Sequence, residues 1–109
     1  MTGSEYQKLA MRTASGLSMK DLILNGVMGL NGEAGECIDI VKKHLFQGHE
    51  LDREKLLDEL SDVMWYAAIT AEGLGTTLDV VMQHNVDKLR KRYPDGFEAS
   101  RSIHRGEES

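Results

Sequence analysis

Between Ile23 and Leu45 the residues Ile23, Val27, Leu30, Ala34, Cys37, Ile38, Val41 and Leu45 form an apolar stripe at helical spacing. The same period runs through most of the chain, and no stretch alternates apolar and polar residues as a half-buried strand does. The sequence therefore predicts an all-α fold. Ser18 is set as an N-cap in front of this stripe, with Asp21 at the third helical position and Leu17 placed to pack on Leu22. Gly48 supplies the stop after Gln47.

Three more helices follow from the same signals. The first is predicted over Ser4 to Ala14, with Tyr6, Leu9, Ala10 and Thr13 on one side and Ser15-Gly16 at its end. Asp52 caps a third, with Leu51 and Leu56 in staple positions, which should bury Leu56, Leu60, Val63, Ala67, Ala71 and Leu74 before Gly73 and Gly75 end it. Thr76, with Asp79 three residues on, caps a fourth that turns Leu78, Val81, Met82 and Leu89 inward and stops near Tyr93-Pro94, since a residue before proline avoids helical geometry. Residues 94–109 read as a turn-rich tail with a frayed end, in which Phe97 and Ile103 are the residues able to dock. The 109 residues fit a single domain.

Charge and composition narrow the function. A formal net charge of -5 is the wrong sign for a broad nucleic-acid footprint, which needs a basic surface to neutralise phosphates. The longest uncharged stretch, Leu22 to Gly32, is far shorter than the ~20 apolar residues of a membrane span. The start carries no basic segment followed by an apolar run, and the one cysteine, Cys37, permits no internal disulfide. A cytoplasmic location is the expectation.

Two acidic pairs stand out, Glu33/Glu36 in GEAGE and Glu59/Asp62 in DELSD, each at a spacing of three. The connection between their helices is short, so the helices should be antiparallel neighbours. At ~1.5 Å of rise per residue, Glu36 lies ~16 Å and Asp62 ~14 Å from that turn, so the pairs come out nearly level. Each pair flanks the edge of its apolar stripe, and four carboxylates meeting there would repel one another unless a cation joined them. Hard oxygen donors of this kind suit magnesium, with manganese as the alternative. Acids three apart are also common on solvated helix faces.

The surroundings add candidates. Gly26, Gly29 and Gly32 each cost ~1 kcal/mol in a helix relative to alanine. Gly26 and Gly29 lie on the acidic side, where they would either clear room for a ligand or let helices pack closely. Asn85 interrupts the apolar stripe of the fourth helix, with Lys88 and Arg92 near the same side, giving an amide and two cations able to hold phosphate oxygens. Tyr66 and Trp65 follow Asp62 by about one turn and offer surface for a planar base, or are simply core. Lys55, one turn before Glu59, is placed to contact phosphate or to pair with that acid. No His stands three residues after a Glu, which argues against a di-iron bundle, and no Walker A or EF-hand motif is present.

The order Glu-x-x-Glu, spacer, Glu-x-x-Asp, together with the strings GLNGEAGECIDIVKKHLFQGH, ELSDVMWYAA, NVDKLRKRYPDGF and SRSIHR, resembles the compact single-domain MazG-like nucleoside triphosphate pyrophosphohydrolases. The resemblance spans nearly the whole chain, 1–109, and implies a four-helix bundle completed by oligomerisation as a homodimer or dimer of dimers. It implies magnesium ligation by Glu33, Glu36, Glu59 and Asp62, and substrate contact by Asn85 and Lys88 with Arg92. The implied reaction is hydrolysis of a nucleoside triphosphate between the α and β phosphates, and the implied service is the clearance of aberrant nucleotides. Many relatives carry a second acid where Gly32 stands. The competing expectations are a non-catalytic helical interaction module and a metal-dependent hydrolase of another phosphoanhydride.

Overall fold

The computed structural model describes residues 1–96. Among them are four helices and no strand: α1 (Gly3–Met11), α2 (Met19–Gln47), α3 (Arg53–Gly73) and α4 (Leu78–Arg92). The chain divides into two compact units, Met1–Leu78, which holds α1 to α3, and Asp79–Ser109, which holds the rest of α4. No described helix is long and apolar enough to cross a membrane.

The helix ends follow local chemistry. The Ser18 hydroxyl accepts from the Asp21 amide at 3.1 Å and the Asp52 carboxylate accepts from the Lys55 amide at 3.1 Å, so both expected caps are made. Gly48 closes α2 at φ +74°, and the amides of Gly48 and His49 turn back onto the Lys43 carbonyl. At the end of α3, Gly75 at φ +72° lets its own amide reach the Glu72 carbonyl and the Thr76 amide reach Ala71, both at 3.0 Å.

Two boundaries move. Helix α1 starts one residue earlier than expected because Thr2 and Glu5 form a reciprocal capping box, and it ends at Met11. Past Met11 the chain tightens into turns spaced by three, with the Thr13 amide on Ala10 and the Ala14 amide on Met11. Helix α4 begins at Leu78, so the residue flanking it is Thr77 in place of the expected Thr76. Phe97, Ile103 and the tail end expected to fray lie outside the described residues.

Within Met1–Leu78 the core is small, and α2 and α3 make its main contact. Ala10, Ala68, Ala71 and Leu78 form one buried group, and Ala14, Leu22 and Ile69 another. Gln7 is buried at 5% exposure and spans α1 to the α3–α4 connection. Its amide nitrogen donates to Thr76 O at 2.9 Å and to Glu72 at 3.1 Å, while its oxygen accepts from the Leu78 amide at 2.8 Å.

The helical period was legible, but the phase of the buried face was not. The stripe expected to be inward on α2 is largely outward: Val27 is 54% exposed, Ile38 58% and Leu45 62%. Leu60 on α3 and Leu74 just past its end are likewise exposed, as are Val81, Met82 and Leu89 on α4, and Asn85 between them is exposed too. The face of α2 that meets α3 instead carries Leu22, Gly26, Gly29 and Ile40. A Cβ on Gly29 would collide with the Tyr66 ring and one on Gly26 with the Thr70 hydroxyl. Close approach through small residues decided the phase, and the space these glycines leave is filled by Tyr66 and Thr70.

Candidate metal centre

Glycine contact sets the register of the seam. Gly26 lies against Thr70, Gly29 against Tyr66, and Gly73 at the end of α3 against Ile23 and the Met19 carbonyl, so the two helices run antiparallel. One turn past Gly29 on α2 comes Glu33, and one turn before Tyr66 on α3 comes Asp62. Glu33, Glu59 and Asp62 accordingly converge, each offering a carboxylate oxygen within 4.8 Å of the others. Among the described residues this is the one group of three or more Asp, Glu, His or Cys side chains so arranged.

Such crowding is costly for three anions. A hydrogen bond with Glu59, then desolvation, then the charges of Glu59, Asp62 and Glu36 raise the Glu33 carboxyl to about 7 from its ordinary 4.5. Without a cation, a proton held by Glu33 and donated to Glu59 joins the two. Glu36 is exposed, one turn further along α2 and outside the close set, yet near enough for its charge to act on Glu33. The donors are all carboxylate oxygens with no soft ligand among them, which fits a hard divalent cation.

Helix α1 closes on the α3 side of this group. The Tyr6 phenol is raised by burial and then by the charge of Asp62, which brings an α1 residue to the acids that sequence reasoning assigned only to packing. The signal was weak, because a connection of several residues between α1 and α2 does not fix which side of α1 meets α3. Trp65 secures the contact: its indole N–H donates to Thr13 Oγ1 at 3.0 Å and to Ala10 O at 3.2 Å. Its ring meets that of Tyr66 edge-on, with centroids 5.1 Å apart. Both aromatics thus have packing roles, Trp65 on α1 and Tyr66 on Gly29 of α2.

The remaining candidates fall in two places. Lys55 is exposed one turn before Glu59 and lines a cavity that also reaches Glu36. Asn85, Lys88 and Arg92 lie along one side of α4, with Asn85 and Lys88 exposed.

The model of the MazG nucleotide pyrophosphohydrolase domain matches residues 24–97, a span that takes in the four acids and the α4 candidates. The Gene 37 protein of Mycobacterium phage L5 is 44% identical over 73 residues, covering 63% of this chain. The chain spans 64% of the length of that relative. No solved structure matches.

Proposed function

The chain belongs to the MazG nucleotide pyrophosphohydrolase domain family, and from that premise we propose that it hydrolyses nucleoside triphosphates at the α–β anhydride, releasing a monophosphate and pyrophosphate. The observation that carries the proposal is the convergence of Glu33, Glu59 and Asp62 from two helices. Those three, with Glu36, are the proposed holders of a divalent cation, magnesium or manganese. When bound, the cation neutralises phosphate charge and acidifies water.

The chain's own groups divide the remaining work. Glu36, outside the close set and not engaged with Glu59, takes a proton from the attacking water. The water oxygen bonds to the α-phosphorus, the bond from that phosphorus to the α–β bridging oxygen breaks, and pyrophosphate leaves with the electron pair. Lys55 binds phosphate, and Asn85, Lys88 and Arg92 are assigned to phosphate contact as well. Tyr66 and Trp65 line the base side. Self-association as a homodimer or dimer of dimers belongs to the same proposal, supported by the apolar side chains exposed on α2 and α3.

A panel of triphosphates with magnesium, assayed separately for pyrophosphate and orthophosphate, tests the reaction. Pyrophosphate is the expected product. Orthophosphate alone would place the cleavage at another bond.

A further inference from the structure

The apolar stripe that α2 turns outward reads the same in both directions. From Ala34, exposed at its middle, steps of four, three and four residues lead back to Leu30, Val27 and Ile23 and forward to Ile38, Val41 and Leu45. The mean step is about 3.67 residues per turn, close to the ~3.6 of a straight helix. All of these residues therefore stay within about 40° of the Ala34 direction over a length of ~33 Å. Val27, Leu30, Ile38 and Leu45 are exposed, Ile23 and Val41 are partly so, and none is charged. The contact with α3 lies elsewhere around the helix. Leu22, Gly29 and Ile40 point about 120–140° away from Ala34, Glu33 about 100° and Glu36 about 160°.

A two-fold interface needs this kind of palindrome, because one patch must be complementary to itself. An axis crossing α2 at Ala34 sets Ile38 level with the partner's Leu30, Val41 with the partner's Val27 and Leu45 with the partner's Ile23. Cys37, Ile38, Val41 and Lys42 line a hollow of about 220 Å³ at the level that the partner's Leu30 and the partner's Val27 reach. The small side chain of Ala34 at the axis lets the two helices come toward the short end of the ~8–10 Å usual for packed helices. A lipid surface or an unrelated protein would place no such symmetry on the sequence.

We propose that the outward face of α2 is a self-docking surface, on which a second copy lays its own α2 antiparallel about a two-fold axis at Ala34. This gives an arrangement to the self-association proposed above and rests on that reading for the existence of a second copy. The seam is separate from the carboxylates. Glu33, Glu59 and Asp62 converge within one chain, on the side of α2 that meets α3, so no carboxylate faces across the axis and each copy keeps its own set.

The test places single cysteines in the full chain on a Cys37→Ser background and treats each with a short bismaleimide at micromolar protein, with melting temperatures as the folding control. Ala34→Cys is expected to run mainly as covalent dimer on a denaturing gel. Val27→Cys alone and Val41→Cys alone should stay mainly monomeric, and a mixture of the two should give several-fold more dimer than either. Self-linking of Val27→Cys to the extent of Ala34→Cys overturns the antiparallel arrangement. A parent that sediments as a dimer while Ala34→Cys stays unlinked overturns the seam and leaves self-association to another surface. A parent that is monomeric throughout overturns both, and one that is monomeric yet sediments with phosphatidylcholine vesicles assigns the stripe to lipid instead. Ile38→Asp should raise the dimer dissociation constant at least tenfold and keep the magnesium-dependent melting shift of the parent; a shift lost together with the dimer overturns the separation of seam from site.

Discussion

A single proton ties Glu33 to Glu59, and its energetics give the most direct residue-scale prediction. Because the folded pKa of Glu33, about 7, exceeds its ordinary 4.5, the folded chain keeps a proton that the unfolded chain has released. The stability from this group is fully present below about 4.5 and is lost as pH rises through about 7. The metal-free protein should therefore melt at lower temperature at pH 8 than at pH 5, and Glu33→Gln should flatten that part of the profile. Identical profiles in the two proteins would show that the proton sits elsewhere. Magnesium competes with the same proton, so its midpoint in a thermal-shift titration should be weaker at pH 6 than at pH 8. The glycines supply a paired prediction. Gly29→Ala drives a methyl group into the Tyr66 ring and should cost ~1–3 kcal/mol. Gly35→Ala meets nothing within 4 Å and should add ~0.5–1 kcal/mol through helix propensity. Denaturant unfolding of the two variants should move in opposite directions.

At the scale of elements, what the sequence made legible was local and what it concealed was relational. Ser18, Asp52 and Gly48 act within a few residues of themselves, so the ends of α2 and the start of α3 could be read directly. The level of the acidic pairs was legible too, because a short turn and a fixed rise per residue leave little freedom. The face that α2 turns toward α3 was not, since apolar periodicity points to the greasiest stripe while the contact runs through glycines. The role of α1 was hidden because its connection to α2 does not fix which of its sides meets α3. Gln7 is the buried polar residue that holds α1 to the end of α3, and Gln7→Leu would strand the Leu78 amide and the Thr76 carbonyl. Leaving those groups unpaired should cost ~2–3 kcal/mol, and in a domain of this size each ~1 kcal/mol lowers the melting temperature by ~4–8 °C. Trp65, the sole tryptophan, reports on the same helix: in Thr13→Val its indole N–H loses its 3.0 Å acceptor, and its emission should shift without any change in α2–α3 packing.

For the molecule as a whole, the small core and the outward stripe point the same way. Val27, Met28, Ile38, Leu45 and Phe46 on α2 and Leu57 and Leu60 on α3 are each more than half exposed in a single chain. A second copy covering them would bury apolar surface worth about 25 cal/mol per Å². Sedimentation should give at least a dimer at micromolar concentration, and Val27→Lys with Ile38→Asp should shift it toward monomer; a parent that is monomeric throughout would remove this part of the proposal. The seam carries one more implication. Glu33 is fixed to α2 and Glu59 and Asp62 to α3, and each helix behaves as a ruler whose marks are turned by about 100° per residue. Residues added to the Gly48–Leu51 link lengthen a hinge without moving either mark. One residue removed between Glu33 and Gly48 swings a carboxylate a quarter turn away from its partners. Among distant relatives, then, the length of the link between the two helices is free to drift, while the count within each helix from its acidic block to that link is not.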